Sequence, residues 1–289
     1  MLQQNWSHVV FALSHLSRQP RNPHDGTDYS RIRTLQYLED NSAHFRQTLL
    51  FSAFLTPELN ALSTSHMRNL AGKIKASPTY PGAIENLPLS VRGSVKQTFT
   101  RFQSTSSVDP STDPDDRFKY FTSAVLPTLK RHHKHTANTD EAPGILLFVP
   151  TYHDFVRLRN FFQSDPRCAH LAFGSISEYS TATEVMRARS HFYNGKHDVL
   201  LVSGRAHHFR RYANMKGTRR VVFYAMPDNP EWYREVVGWL DGAVQQGGQE
   251  ASVRCMFSRW EVLALERIVG TKRVGRMVKE GKEDVFEFQ

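Results

Sequence analysis

The sequence has little cysteine and no long apolar run. Only two of its 289 residues are cysteines. With Cys168 and Cys255 alone, neither a disulfide framework nor a CxxC or Cys/His zinc spacing can be built. Both read as small buried apolar residues in a chain kept in a reducing, intracellular compartment. The longest unbroken apolar stretch, Val221–Met226, has six residues, where a membrane helix needs about 20. The start Leu2-Gln3-Gln4-Asn5 lacks the basic and apolar regions of a secretory signal. No membrane partner is expected. No GxSxG occurs, and no GxxxxGK followed by Ser or Thr. The chain therefore carries neither the elbow of a serine hydrolase nor a phosphate-binding loop.

What is abundant is positive charge. Lys and Arg number 37 against 28 Asp and Glu, a formal net charge of +9. With 39% hydrophobic and 22% charged residues the chain has the apolar mass for a packed core, and wholesale disorder is excluded. A surplus of this size points to an acidic partner, nucleic acid being the commonest. The length suits one large domain or two small ones, at roughly 100–200 residues each.

The first 75 residues read as packed protein with a polar interruption. Trp6–Leu16 has helical spacing of its apolar residues. Ser17–Ser30 is turn-rich, and Arg31–Leu38 is a short amphipathic segment. Thr48–Phe54 is an apolar run of strand length, and Pro57–Lys75 reads as helix. The prolines and glycines of Ala76–Ser94 suggest a linker or an extended crossing segment. Val95–Phe102 is expected to be a strand, Ser104–Asp116 a surface loop, Phe118–Leu129 a helix, and Lys130–Glu141 a histidine-rich flexible stretch.

Beyond Ala142 strands and helices alternate. Gly144–Pro150 is apolar on both faces, as in a strand buried in a parallel sheet. Tyr152–Phe162 follows as helix, with Thr151 placed to cap it. His170–Phe173 is a short strand ending at Gly174. Thr181–Tyr193 is a helix stopped by Asn194-Gly195. Asp198–Val202, Arg220–Met226 and Ser252–Phe257 are strands; Pro230–Leu240 and Trp260–Val269 are helices. Such alternation means βαβ units and a parallel sheet flanked by helices.

The motifs of this half carry a resemblance. The strand and helix from Ile145 through Phe162, Gly174, and Phe192, Gly195, Lys196 with Asp198–Val202 resemble the second RecA-like lobe of superfamily-two RNA helicases. So do Val221, Tyr224, Pro227, Glu231, Tyr233 and Gly238. More specifically, Gln4-Asn5-Trp6, Arg46–Phe54, Asp116–Tyr120, Phe148–Asn160, Arg187–Phe192 and Phe223–Pro227 resemble, in order along the chain, the C-terminal part of the digestive-organ-expansion-factor family. Members of that family are helicase-like, U3 small nucleolar RNA-associated subunits of the small-subunit processome.

The resemblance implies an α/β, RecA-like parallel sheet flanked by helices over residues 95–289. It implies a linker over 76–94 and a C-terminal remnant of a first RecA-like lobe over 1–75, with Ser52-Ala53-Phe54 where an active helicase has Ser-Ala-Thr. The phosphate-binding half of that lobe is not in this sequence, so the chain is expected to be a fragment or to have a trimmed start. The remnant's strand Thr48–Phe54 would then lack neighbours and be sticky or disordered alone.

Helicase chemistry needs a phosphate cradle, a magnesium ligand and arginines on the transition-state charge. In the frame Y-x-H-R-x-G-R the two arginine positions hold Val236 and Trp239, and the histidine position holds Glu235. An apolar side chain cannot stabilise a transferring phosphoryl group. Arg234 and Arg205 are the only nearby substitutes. In the preceding motif Gly204 replaces the aspartate and His208 the arginine. The chain is therefore expected not to be an enzyme, and to need no cofactor or small-molecule substrate.

The resemblance leaves three places for backbone phosphates of RNA: Pro150-Thr151, Gly174-Ser175 and Ser203–Arg205. Small residues and helix N-termini offer N–H groups there, and Arg205 adds charge. Two basic clusters are further candidates: Arg210 and Arg211 with Lys216, Arg219 and Arg220, and Lys272, Arg273 and Arg276 with Lys279. Tyr212 is a candidate for base stacking or for burial, and Arg157 and Arg159 lie off the buried face of their helix. The histidine groups His132, His133, His135 and His207, His208 have no partner at metal-ligand spacing, so no metal site is expected.

These features imply a catalytically silent, RNA-contacting structural subunit of the processome, acting in nucleolar pre-rRNA processing and 40S ribosome biogenesis. Its expected partners are pre-rRNA or small nucleolar RNA and other processome proteins, in the nucleus and nucleolus. The alternatives are an RNA-dependent ATPase whose nucleotide-binding half lies outside the chain, and a scaffold that binds only proteins.

Overall fold

Two apolar runs form the middle of the sheet. Ile145–Val149 (β2) and Val199–Ser203 (β4) are buried at every position, which requires side chains packed on both faces of the strands. The computed structural model describes residues 2–16, 41–129, 143–245, 251–279 and 284–289. Ser17–Ser30, Arg31–Leu38 and the histidine-rich Lys130–Glu141, with His132, His133 and His135, lie outside them. The other strands are β1 (Lys96–Arg101), β3 (Phe173–Ile176), β5 (Arg220–Phe223), β6 (Ser252–Phe257) and β7 (Val285–Phe288). Their order is β3-β4-β2-β5-β6-β1-β7. All neighbours are parallel except β1 and β7, which are antiparallel. The fold is thus α/β, a mostly parallel sheet with helices on both faces, as the alternation predicts.

Alternate side chains of β2 feed two cores. Leu146 and Phe148 pack with helices Ala182–Tyr193, Pro230–Gly238 and Val262–Val269 through Phe192, Val236 and Leu265. Ile145, Leu147 and Val149 pack on the other face with Tyr152–Ser164 and the helical stretch from Asp113, through Phe155, Leu158 and Phe121. Leu147 lies opposite Leu201 on β4 and Val222 on β5. Truncating a leucine so enclosed costs about 2–5 kcal/mol.

The chain divides into two units, Met1–Pro78 and Thr79–Gln289. In the first unit, Leu2–His15, Ser42–Phe45 and Pro57–Ser65 are helical. The last of these ends at His66 rather than running to Lys75. Thr48–Phe54, expected to be a strand, forms none. A strand needs a neighbour for its ladder, and the described residues of this unit contain no other strand. Leu49, Leu50 and Phe51 are exposed, Phe51 at 92%.

The stretch Ala76–Ser94, read as a linker, is mostly packed into the second unit. Ile84, Leu87 and Val91 are buried in its core. Tyr80 N donates to Thr271 Oγ1 at 3.0 Å. A Cβ on Gly270 would stand 2.5 Å from Pro81 O, so the two backbones touch only because that residue is glycine. Apolar residues hidden among prolines made this segment look like a spacer.

Elements not legible in the pattern include the helices Ser42–Phe45, Gly204–Arg210, Asp241–Gln245 and Thr271–Val278, and strand β7. The surface loop expected over Ser104–Asp116 holds the 3-10 turn Pro110–Thr112 and the start of the helix Asp113–Tyr120.

Candidate functional site

Because β3, β4 and β2 are adjacent, the connections leaving their C-terminal ends lie side by side. The first is Pro150-Thr151 and the third begins at Ser203, which pairs with Val149. A Cβ on Gly204 would stand 2.8 Å from Pro150 O, so glycine is what lets these two connections touch. The second differs from expectation. Gly174 and Ser175 lie inside β3, opposite Leu200 and Leu201, and not in the loop after it. The strand is shifted along the chain from His170–Phe173. Its exit loop is Ser177–Ser180, so Gly174 and Ser175 offer no loop amides to a phosphate.

A carboxylate that the motif reading did not single out organises this end of the sheet. Glu178, in the exit loop of β3, accepts from Ser203 Oγ at 2.9 Å and pairs with Arg205 at 3.3 Å. Ser203 Oγ in turn accepts from Ala206 N at 3.1 Å and caps the helix Gly204–Arg210. Ser203 and Arg205 are thus brought together, but the Arg205 charge meets a carboxylate. Thr151 occupies the cap position of Tyr152–Ser164, but its hydroxyl donates to Asp154 Oδ2 at 2.7 Å instead of capping a backbone N–H.

The next two arginines are also engaged. Arg210 donates to Ser180 O. Arg211 ends its helix at φ 42° and donates to Glu235. Glu235 also faces His207, whose Nε2 lies 2.7 Å from its second oxygen. That contact fixes Nε2 as the protonated nitrogen. His207 is fully buried, ringed by Phe148, Trp232 and Trp239 at 5.3–6.3 Å between centroids. Burial holds its pKa below the ordinary histidine value, against the pull of Glu235. Tyr212 is half-buried, with Arg189 over its ring at 5.8 Å. Arg157 pairs with Asp115 at 2.6 Å and lies over Phe118.

The helix Pro230–Gly238 carries the positions where an active helicase would hold arginines. Val236 is fully buried and Trp239 is 4% exposed; both are core. Arg234 points outward and pairs with Glu231.

The second basic cluster stands apart. Lys272, Arg273 and Arg276 are on the solvent side of Thr271–Val278, whose Val274 and Met277 face the core. That helix meets β1 through Arg101, which donates to Val278 O, and β1 is four places from β4 in the sheet. Arg273 pairs with Glu85 at 2.8 Å.

Among the described residues no three of His, Cys, Asp or Glu are arranged to hold a metal, and no helix is long and apolar enough to cross a membrane.

Residues 88–288 match the family of the Utp25 C-terminal domain, and residues 1–74 the Utp25 NTP hydrolase-like domain. The chain belongs to the Utp25 family. The relatives it resembles include the U3 small nucleolar RNA-associated protein 25 of Sclerotinia sclerotiorum, 51% identical over 100% of this chain and 38% of the relative. The protein of that name from Phaeosphaeria nodorum is 50% identical over 99% of this chain and 40% of the relative. The chain therefore spans about two fifths of the length of these Utp25 relatives. Among solved structures, the L327V variant of S. cerevisiae Dbp5 bound to RNA and ADP BeF3 is 14% identical, with a TM-score of 0.44, covering 87% of this chain and 53% of that one. The E. coli DEAD-box protein SrmB is 15% identical, with a TM-score of 0.42, covering 64% and 86%.

Proposed function

We propose that this chain is a non-catalytic, RNA-contacting part of a small-subunit processome component, acting in pre-rRNA processing and 40S ribosome biogenesis in the nucleolus. The relatives' name supports the association with U3 small nucleolar RNA, and the net charge of +9 supports contact with a polyanion. We further propose that residues 1–75 are the end of a first RecA-like lobe and that the lobe from residue 95 onward carries the contacts. Pre-rRNA or small nucleolar RNA and neighbouring processome proteins are its proposed partners. Thr151, Ser203, Arg205, Arg210 and Arg211 at the strand ends, and Lys272, Arg273 and Arg276 beyond, are its candidate RNA contacts.

One observation carries the non-catalytic reading. Val236 and Trp239 are core residues, and Glu235 holds His207 and Arg211. The surface that would stabilise phosphoryl transfer is thus built of apolar packing and a carboxylate, which repels developing negative charge. Arg205 and Arg234, the only substitutes, pair with Glu178 and Glu231.

Phosphate release from ATP, followed with and without single-stranded RNA, tests the reading on this chain and on a full-length relative. No release above background is expected from either. RNA-stimulated turnover by the relative, abolished by Arg234→Ala or Arg205→Ala, would overturn it in favour of the ATPase.

A further inference from the structure

One flank of the second unit, along the helix Ala182–Tyr193 and the chain after the helix Gly204–Arg210, is rich in exposed cations. Between residues 182 and 219 there are eight lysines and arginines and only two carboxylates. Asp198 is buried and accepts from Ala172 N at 2.8 Å. Glu184 reaches back to Thr181 N at 2.7 Å in the capping box of the helix Ala182–Tyr193. Glu184 also lies one turn from Arg187, whose charge favours its ionised form.

The chain after the helix Gly204–Arg210 runs along the helix Ala182–Tyr193 as a strap. Arg210 donates to Ser180 O just before that helix begins. Arg189, midway, donates to Asn214 O at 3.0 Å. A Cβ on Gly217 would stand 3.1 Å from the Cα of Tyr193 at its end. The helix face beside the strap therefore carries Met186, Arg189 and Tyr193, at positions i, i+3 and i+7. Met186 is 65% exposed, Tyr193 61%, and Phe209 at the start of the strap 59%. Lys196, Arg210 and Lys216 are exposed around them. The result is a ridge about 18 Å long, at 1.5 Å per helical residue, with cations along it and an aromatic ring at each end.

An exposed tyrosine and phenylalanine among cations with few carboxylates near them match what a single strand of nucleic acid presents: phosphates at intervals and π-faces for stacking. An apolar protein partner would have to cover the same cations. We propose that this ridge binds single-stranded RNA, with phosphates against Lys196, Arg210 and Lys216 and bases against Tyr193 and Phe209. The inference rests on the RNA-contacting reading above. It moves the main contact off the strand ends, where Arg205 and Arg211 are held by Glu178 and Glu235.

The test is fluorescence anisotropy of the whole chain with a labelled 20-nucleotide oligouridine over a salt series. Lys196→Glu with Lys216→Glu should weaken binding at least tenfold and flatten the log–log salt slope by about 1.4, at ~0.7 per phosphate lost from a single strand. Tyr193→Ala should weaken it roughly tenfold while Tyr193→Phe keeps it, since stacking needs the ring and not the hydroxyl. Lys119→Glu, on the helix Asp113–Tyr120 that packs on the opposite face of the sheet, should change it less than threefold. All of these side chains are exposed, so thermal melts should match the parent. If the parent binds and the ridge variants bind equally well, the ridge is overturned and an acidic protein becomes its better occupant, while the RNA reading stands. If the parent binds no RNA at any salt, the RNA-contacting reading falls and the ridge with it.

Discussion

The Nε2 of His207 lies 2.7 Å from Oε2 of Glu235, and this contact ties two elements that the sequence places 28 residues apart. His207 is on the short helix after β4, Glu235 on the helix after β5. The other oxygen of Glu235 accepts from Arg211, so one carboxylate fixes both the buried imidazole and the start of the basic strap. Glu235→Ala removes both acceptors. Leaving a buried donor unmet costs about 1–3 kcal/mol, so its urea midpoint should fall by that equivalent, with amide exchange of residues 207–216 quickening first. An unchanged midpoint would mean that the contact holds nothing.

His207 also sets a pH dependence. Beside it stand Glu235, which favours its charged form, Arg211 and His208, which oppose it, and a wall of aromatic rings. Burial outweighs the carboxylate, so its folded pKa lies below the unfolded value of about 6.5. The unfolded chain then binds the proton more readily, and stability falls as pH drops below about 6.5 toward the folded pKa. The melting temperature should decline between pH 7.5 and 5.5, and His207→Gln should make that decline shallower. An identical decline in the variant would contradict the assignment.

Arg117 is the main buried cation of the other face. Its guanidinium pairs with Asp113 at 2.7 Å and Glu261 at 2.9 Å, donates to Tyr224 O, and lies 5.0 Å from the Phe102 ring centroid. These carboxylates hold its pKa up against burial, and burial holds the Glu261 carboxyl above its usual range. Arg117→Ala leaves two carboxyls buried without a counter-charge and should cost about 3–5 kcal/mol. Chemical denaturation checks the figure, and added salt should not rescue the variant, because the pair is shielded from solvent ions.

The exposed run around Phe51 predicts self-association. Leu49 and Phe51 present apolar side chains with no covering element among the described residues of their unit. Leu49→Ser with Phe51→Ser should reduce light scattering and shift sedimentation toward the monomer while leaving the melting temperature within about 1 °C, as surface changes do.

The sheet was legible where strands are apolar at every position. Ile145–Val149 and Val199–Ser203 lie within two residues of their expected ends because only burial on both faces tolerates such runs. The β3 register was not, because four residues with one glycine carry no period that fixes where the pairing begins. Strand β7 was invisible, its Phe286 and Phe288 alternating with polar residues in a segment too short to stand out. Thr48–Phe54 has the composition of a strand, but composition does not supply a neighbour.

At the site, Ser203 and Arg205 were legible as residues of one motif, and Val236 and Trp239 as losses. Glu178 was not, because a single carboxylate in a serine-rich loop gives no sign of reaching Ser203 at the end of the neighbouring strand. The ridge was half-legible. Arg210, Arg211 and Lys216 stand out as a basic cluster, but that Arg189 and Tyr193 lie beside them follows from β3 and β4 being neighbours.

The proposed function requires RNA contact through charge, without nucleotide chemistry. Anisotropy of this chain with single-stranded RNA at 50 and 200 mM salt, with and without ATP and magnesium, tests it most directly. Binding should weaken steeply with salt and be the same with and without ATP. Binding that requires ATP, or strengthens with it more than threefold, would contradict the reading of Val236, Trp239 and Glu235.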